Sequence, residues 1–405
     1  MAREQVRDAL KKILDNVLDH AVGRAGGVPG VVAMATDREG NIYEGATGVR
    51  ELGKETPMTS DTVFALFSTT KAITGTALMQ LVEEGKIRLD DPVEKYVPDI
   101  AEIKVLEGFD ADGKPLLRTP RNKITVGMLM LHTAGFGYEF FSYEDRRYRN
   151  AKETPSILTS TFDSIKSVLL FEPGERWNYG VNIDWVGKVV EAVRGKRLGE
   201  VMAEHIFAPL GMTDIAFTLT PSMMERRAII HSRARDGKIT PNPDLVLPQP
   251  PEMDMGGHGL YASVGEYMKF IRMILNDGAG TYGRVLKQET VAQMSQNGLG
   301  ALKSGGWMTS DPSLSNNGEF FVGVQKSWGY TFQVNEDPVP TGRPAGQLMW
   351  AGLANLFYWI DRKNGIGGFW ATQMFPFQDV ASYLGFLEFE SAIYSTLKRM
   401  GHIAA

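Results

Sequence analysis

The strand-forming segments of this 405-residue chain lie at its two ends, and that placement constrains the fold more than any other feature. Near the start, Val31 to Ala35 and Asn41 to Thr47 read as short strands, with Asp37-Arg38-Glu39-Gly40 as a hairpin turn between them. Near the end, Trp328 to Val334, Gln347 to Trp350, Phe357 to Asp361 and Gly368 to Met374 read as strands. Arg362-Lys363-Asn364-Gly365 supplies a turn among them. Val6, Leu10, Ile13, Leu14, Val17 and Leu18 recur at helical spacing before the first set, and Ala381 to Arg399 reads as a helix after the last. One sheet built from both ends, with the two terminal helices packed on it, buries all these apolar faces together.

The middle reads differently. Ser68 to Glu84, Asp184 to Val193, Leu198 to Phe207 and Val264 to Leu275 carry helical patterns, and Pro241 to Gly259 reads as a long loop. The expected division is a discontinuous α/β domain, residues 1–85 and 311–405, with a mainly helical domain, residues 86–310, inserted into it.

Composition narrows the chemistry. Lys and Arg total 43 against 48 Asp and Glu, a net charge of −5. No basic excess exists to neutralise phosphates, so nucleic acid is not expected as a partner. The chain has no Cys, which removes disulfides, thiolate metal sites and a Cys nucleophile. Its six His include no H-E-x-x-H pair, and no G-x-S-x-G occurs. No cofactor and no metal are expected. Charges interrupt the first twenty residues, and no apolar run reaches the ~18 residues of a membrane helix. The expectation is a soluble, cytoplasmic protein with no membrane partner; its oligomeric state is left open.

The residues that carry chemistry are few. Phe64-Ala-Leu-Phe-Ser68-Thr-Thr-Lys71 runs straight into a helix. Lys71 lies one turn from Ser68 on the same face. Burial would lower its pKa and make it a base for the serine. A second S-x-x-K, Ser395 to Lys398, lies in the terminal helix and reads as surface. Phe171-Glu-Pro-Gly-Glu-Arg-Trp-Asn-Tyr179 places Tyr179 on a rigid approach to a helix. A phenol beside an ammonium can have its pKa lowered enough to shuttle a proton. Tyr148-Arg-Asn150, a literal Y-x-N, lies in a charged stretch read as solvated.

In this order the motifs resemble the serine β-lactamase and penicillin-binding-protein superfamily. The likeness is greatest to its class C β-lactamase-like branch, with the family VIII carboxylesterases and simvastatin-type acyltransferases. Ser68-Thr-Thr-Lys71 matches the S-x-x-K motif, Leu131-His-Thr-Ala-Gly135 the H-T-S/A-G segment, and Pro173 to Tyr179 the approach to a catalytic tyrosine. Gly256-Gly-His-Gly-Leu260 resembles the later glycine run, and Met349-Trp-Ala-Gly-Leu353 the W-x-G of the esterase branch. The resemblance implies a β-lactamase-like fold, α/β plus all-α, with an antiparallel sheet flanked by the N- and C-terminal helices. It also implies Ser68 as nucleophile, Lys71 and Tyr179 sharing its proton, and the backbone N–H groups of Ser68 and Leu353 as oxyanion hole. Trp350, Gly352, Asn182, Phe136, Tyr138 and His258 are the expected substrate contacts. Phe136, Tyr138, Phe140 and Phe141 read equally as core, and His132 as a structural hydrogen-bonder.

Two departures redirect the function. The Y-x-N asparagine position holds Val181, with Asn182 one place later. The K-T-G lysine position holds Trp350, which carries no charge for a substrate carboxylate but offers an apolar face. The literal Lys303-Ser-Gly305 lies in loop-like sequence and reads as a surface lysine. The expectation is a serine carboxylesterase acting on small neutral esters. An acyltransferase with an alcohol acceptor, a β-lactamase or D-amino-acid peptidase, and a non-catalytic binding protein are the alternatives.

Overall fold

The helical spacing at the start forms α1 (Arg3–Gly23), which buries Val6, Leu10, Leu14 and Leu18. The computed structural model describes residues 3–403. Strands β1 (Gly30–Thr36), β2 (Asn41–Gly48) and β3 (Val63–Ala65) follow, then α2 (Thr70–Glu83). The middle contributes α3 (Tyr143–Lys152), α4 (Asn182–Arg194), β4 (Tyr261–Ser263) and α5 (Val264–Leu275). The end supplies β5 (Lys326–Trp328), β6 (Gln333–Asn335), β7 (Gln347–Gly352), β8 (Leu356–Asp361), β9 (Ile366–Ala371) and α6 (Val380–Arg399).

Seven strands make one antiparallel sheet in the order β5-β6-β7-β8-β9-β1-β2. The two ends of the chain meet where Val32 faces Ala371 and Thr36 faces Gly367. Helices α1 and α6 pack together against the sheet, and α5 packs on β1, β8 and β9. Helices on both faces explain why β1, β7, β8 and β9 are buried at every residue and read as apolar runs rather than alternations. Among the described residues, no helix is long and apolar enough to cross a membrane.

Several elements differ from the expectation. Trp328 to Val334 is two strands, not one. Gly329 donates to the Phe332 carbonyl (2.8 Å), and Thr331 turns the chain at φ +79°. A β-branched residue in that conformation is rare, so Thr331 itself carries no turn signal. The strand read to Met374 ends at Ala371, and Met374–Phe375 pairs instead with Ile230–Arg233 in a small separate sheet. The helix read over Leu198 to Phe207 is α-helical only to Met202, then widens into a π turn over Ala203–Phe207. Pro209 has no N–H for the His205 carbonyl, and Gln80 Nε2 donates to it instead (2.9 Å).

The 86–310 division also places residues 261–275 with the helical part, whereas α5 packs on the seven-stranded sheet and β4 joins a smaller one with β3. Strand β4 pairs with β3, and Ile271 of α5 presses on β9 at Gly367, which has no Cβ to meet it. Finally, α3 is not wholly solvated. Its Asp145 and Arg149 are buried and paired at 2.9 Å.

Candidate active site

The apolar stretch before Ser68 buries itself and leaves one hydroxyl accessible. From Phe64 to Lys71, only Ser68 is not fully buried. Phe67 sits at φ +44°, an uncommon conformation for a non-glycine residue, and makes the turn between β3 and α2. Its ring packs on Phe375 at 5.8 Å, which holds the turn. Strand β7 runs directly against it: a Cβ on Gly352 would lie 2.4 Å from the Leu66 carbonyl oxygen, so only glycine fits. This approach brings Leu353 to the same cavity as Ser68. The Leu353 N–H makes no hydrogen bond among the described residues.

Lys71 is completely buried. Its Nζ lies 3.1 Å from Ser68 Oγ, 2.9 Å from the Tyr138 hydroxyl and 2.8 Å from the Gly257 carbonyl oxygen. Burial lowers its pKa to about 7, against a partial upward pull from the Asp184 carboxylate. A neutral amine there donates twice, to Tyr138 and Gly257, and turns its lone pair to the Ser68 hydroxyl. Such an amine can accept the serine proton.

Asp184 reaches Lys71 through one residue, Gly257. Its Oδ1 accepts from the Gly257 N–H (2.8 Å), and the Gly257 carbonyl accepts from Lys71. A Cβ on Gly257 would stand 2.4 Å from Asp184 Oδ2. Burial raises the Asp184 carboxyl to about 6, while Lys71 pulls it down. Sequence reasoning missed this residue. The available signal was an acid in the first turn of α4 among Ile183, Trp185 and Val186, all buried.

Tyr179 stands over the amine, with Lys71 Nζ 4.7 Å from its ring centroid. Burial pushes its hydroxyl well above the ordinary tyrosine value, although hydrogen bonding to Ser68 and Trp350 works the other way. The expected lowering beside an ammonium is therefore reversed. A neutral phenol suits proton relay and donation rather than the role of free base. Trp350 contributes more than an apolar face: its indole N–H donates to the Tyr179 hydroxyl at 2.9 Å. His132 supports the same loop. Its carbonyl accepts from the Asn178 N–H (2.8 Å), and its ring packs 4.8 Å from that of Tyr179.

The cavity beside Ser68 is apolar and aromatic. Phe67, Tyr138, Phe140, Phe141, Trp350 and Phe377 line it, with Ile157, Leu158, Gly352, Leu353 and His258. No Lys or Arg side chain is among its lining residues. Two expected substrate contacts are absent from this lining. Phe136 is fully buried and stacks on Trp185 at 6.0 Å, so it is core. Asn182 is also fully buried, and its amide nitrogen lies 2.9 Å from His132 Nδ1. The one-place offset puts it on the inner side of α4. His258 does line the cavity, and burial lowers its pKa to about 3, so it is neutral. The second S-x-x-K is remote from all this: Ser395 and Lys398 are exposed on α6, and Lys303 is exposed in a loop.

Comparison with known proteins agrees with this architecture. A monacolin J acid methylbutanoyltransferase of Aspergillus terreus is 31% identical over 383 residues, 91% of this chain and 92% of that one. A lovastatin esterase of Penicillium rubens is 33% identical over 369 residues, covering 86% and 89%. The solved structure of a simvastatin synthase mutant from Aspergillus terreus superposes with a TM-score of 0.84 at 30% identity, covering 96% and 97%. A hydrolase with promiscuous acyltransferase activity, EstCE1, shares the fold at a TM-score of 0.76 and 23% identity, covering 96% and 100%. These relatives make the chain an enzyme of acyl-transferring or ester-cleaving type. The family model described as beta-lactamase matches residues 7–389, so this chain belongs to the beta-lactamase family.

Proposed function

We propose that this chain is a serine carboxylesterase that cleaves small neutral esters through an acyl-enzyme on Ser68. The observation that carries the reading is Lys71: a buried amine held near pKa 7, 3.1 Å from Ser68 Oγ, in a cavity whose lining holds no cation. A substrate carboxylate would find no counter-charge there, whereas an apolar acyl or alkoxy group finds aromatic walls.

Lys71 takes the Ser68 proton as Oγ attacks the ester carbonyl. The backbone N–H groups of Ser68 and Leu353 hold the oxyanion, whose charge in a water-poor site is worth several kcal/mol to stabilise. The C–O bond to the alcohol then breaks. Lys71 returns its proton through the Tyr179 hydroxyl to the leaving oxygen, with the Trp350 indole N–H orienting that phenol. Water enters, gives a proton back along the same path, and attacks the acyl carbon. The acyl C–Oγ bond then breaks, Lys71 returns that proton to Oγ, carboxylic acid leaves and Ser68 is restored.

A second reading keeps the acyl-enzyme and replaces water by an alcohol. It is favoured by the aromatic enclosure of Ser68, which disfavours water, and by the transferase names of relatives such as that from Aspergillus terreus.

One experiment tests both. Wild type and Ser68→Ala are incubated with p-nitrophenyl esters, and intact mass and products are followed with and without a competing alcohol. Wild type gains one acyl mass and releases p-nitrophenol; Ser68→Ala does neither. Retained hydrolysis in Ser68→Ala refutes the assignment. Ester product at the expense of free acid selects the second reading.

A further inference from the structure

The cavity beside Ser68 leaves about 30 Å³ of free space, room for one or two waters. A longer acyl group must reach into the open mouth of the cavity or press on its wall. Part of the wall is committed to the chemistry already described. Tyr138 is tied to Lys71, Trp350 to Tyr179, and Gly352 to the Leu66 turn. Ile157 and Leu158 line it from a single 3₁₀ turn, Ile157–Thr159, that takes no part in that chemistry.

Glu139 holds the start of that turn. Glu139 Oε1 accepts from the Ile157 N–H (2.9 Å) and from Ser156 Oγ (2.8 Å). Arg149, buried on α3, stands behind it. Its Nε is 3.5 Å from Glu139 Oε2, and its Nη1 donates to the Pro155 carbonyl at 2.8 Å. Glu139 also lies between two wall residues, Tyr138 and Phe140, and its own carbonyl accepts from Ser310 Oγ at 2.5 Å. Glu139 therefore fastens the start of this turn to the fixed wall, with Arg149 bonded to Pro155 just before it.

We propose that Glu139 is a specificity-determining positioning residue: it clasps the Ile157–Leu158 turn across the cavity and so limits the acyl group to short chains. This rests on the ester-cleaving reading above. The hydrogen bonds need an acceptor oxygen at Oε1, not a charge, because Arg149 keeps Asp145 as its 2.9 Å partner. Glutamine should therefore preserve the clasp. Aspartate, shorter by one methylene, should loosen it, and alanine should release it.

The test is the ratio of kcat/KM for p-nitrophenyl octanoate to that for the acetate, in wild type, Glu139→Gln, Glu139→Asp and Glu139→Ala. Wild type favours acetate. Glu139→Ala raises the ratio about tenfold or more, the range by which apolar pockets discriminate small size differences, and the gain appears in KM. Glu139→Asp moves it in the same direction by less, and Glu139→Gln stays near wild type. Should Glu139→Ala fail to fold, Glu139→Asp carries the same expectation with the charge kept. A ratio unchanged in the alanine and aspartate variants overturns the proposal. So does a shift as large in Glu139→Gln, which would assign the effect to charge. Acetate turnover by wild type that survives in Ser68→Ala removes the underlying reading instead, whatever the ratio does.

Discussion

Asp184→Asn tests the electrostatics of the site with little change of shape. The amide oxygen can still accept from the Gly257 N–H, now 2.8 Å from Asp184 Oδ1, so the Gly257 carbonyl stays aimed at Lys71. Only the charge is lost. The links from carboxylate through Gly257 to Lys71 span at most roughly 9 Å, since each hydrogen bond is 2.8 Å and one residue lies between. At that distance and an effective dielectric near 20, the attraction is about 2 kcal/mol, or between about one and two pKa units.

The sign follows from which form is active. In the proposed mechanism Lys71 works as a base when neutral, and Asp184 raises its pKa by favouring the charged form. Removing the carboxylate lowers that pKa from about 7. The acid limb of kcat/KM for p-nitrophenyl acetate, measured from pH 5 to 9, therefore moves to lower pH. At pH 7, where Asp184 is mostly ionised, the neutral fraction rises from about one half to about nine-tenths or more, a gain of roughly twofold relative to each enzyme's own plateau. The plateau itself falls modestly, because a less basic amine is a weaker proton acceptor. A limb that stays in place, or moves to higher pH in a variant of native thermal stability, would refute the coupling of Asp184 to Lys71.

Two further outcomes follow from the same geometry. Trp350→Phe keeps the aromatic wall but removes the 2.9 Å donor to the Tyr179 hydroxyl; kcat should fall about tenfold, the worth of one such hydrogen bond, and an unchanged kcat would remove Trp350 from the proton path. Glu390→Ala leaves the Arg343 guanidinium without the carboxylate 2.9 Å away, and both side chains are fully buried; urea unfolding should show a loss of about 3–5 kcal/mol, with ester kinetics at low denaturant little changed.

The parts of this fold that were legible in the sequence share one property: their signal is local. Val6, Leu10, Leu14 and Leu18 announce α1 because a buried stripe must recur every helical turn. Val264 to Leu275 matches α5 in both bounds for the same reason. The illegible parts depend on partners distant in sequence. Thr331 turns a hairpin at a conformation that no local rule allots to threonine. The π turn before Pro209 is satisfied by Gln80, more than a hundred residues away. Phe136 and Tyr138 are two residues apart in one aromatic cluster, yet one stacks in the core on Trp185 and the other meets Lys71.

The sequence by itself determined the family, the end-to-end sheet, and the order of the motifs that meet at the cavity. It could do so because residue types and spacing survive without coordinates. Tertiary structure alone decided the ionisation of those groups. Burial brings Lys71 down to about 7 and pushes Tyr179 up, and Asp184 reaches the amine only because α4 and the Gly256–Gly257 loop pack against it. A pKa is set by how much water and which charges surround a group, and those surroundings come from segments that the chain brings together only on folding.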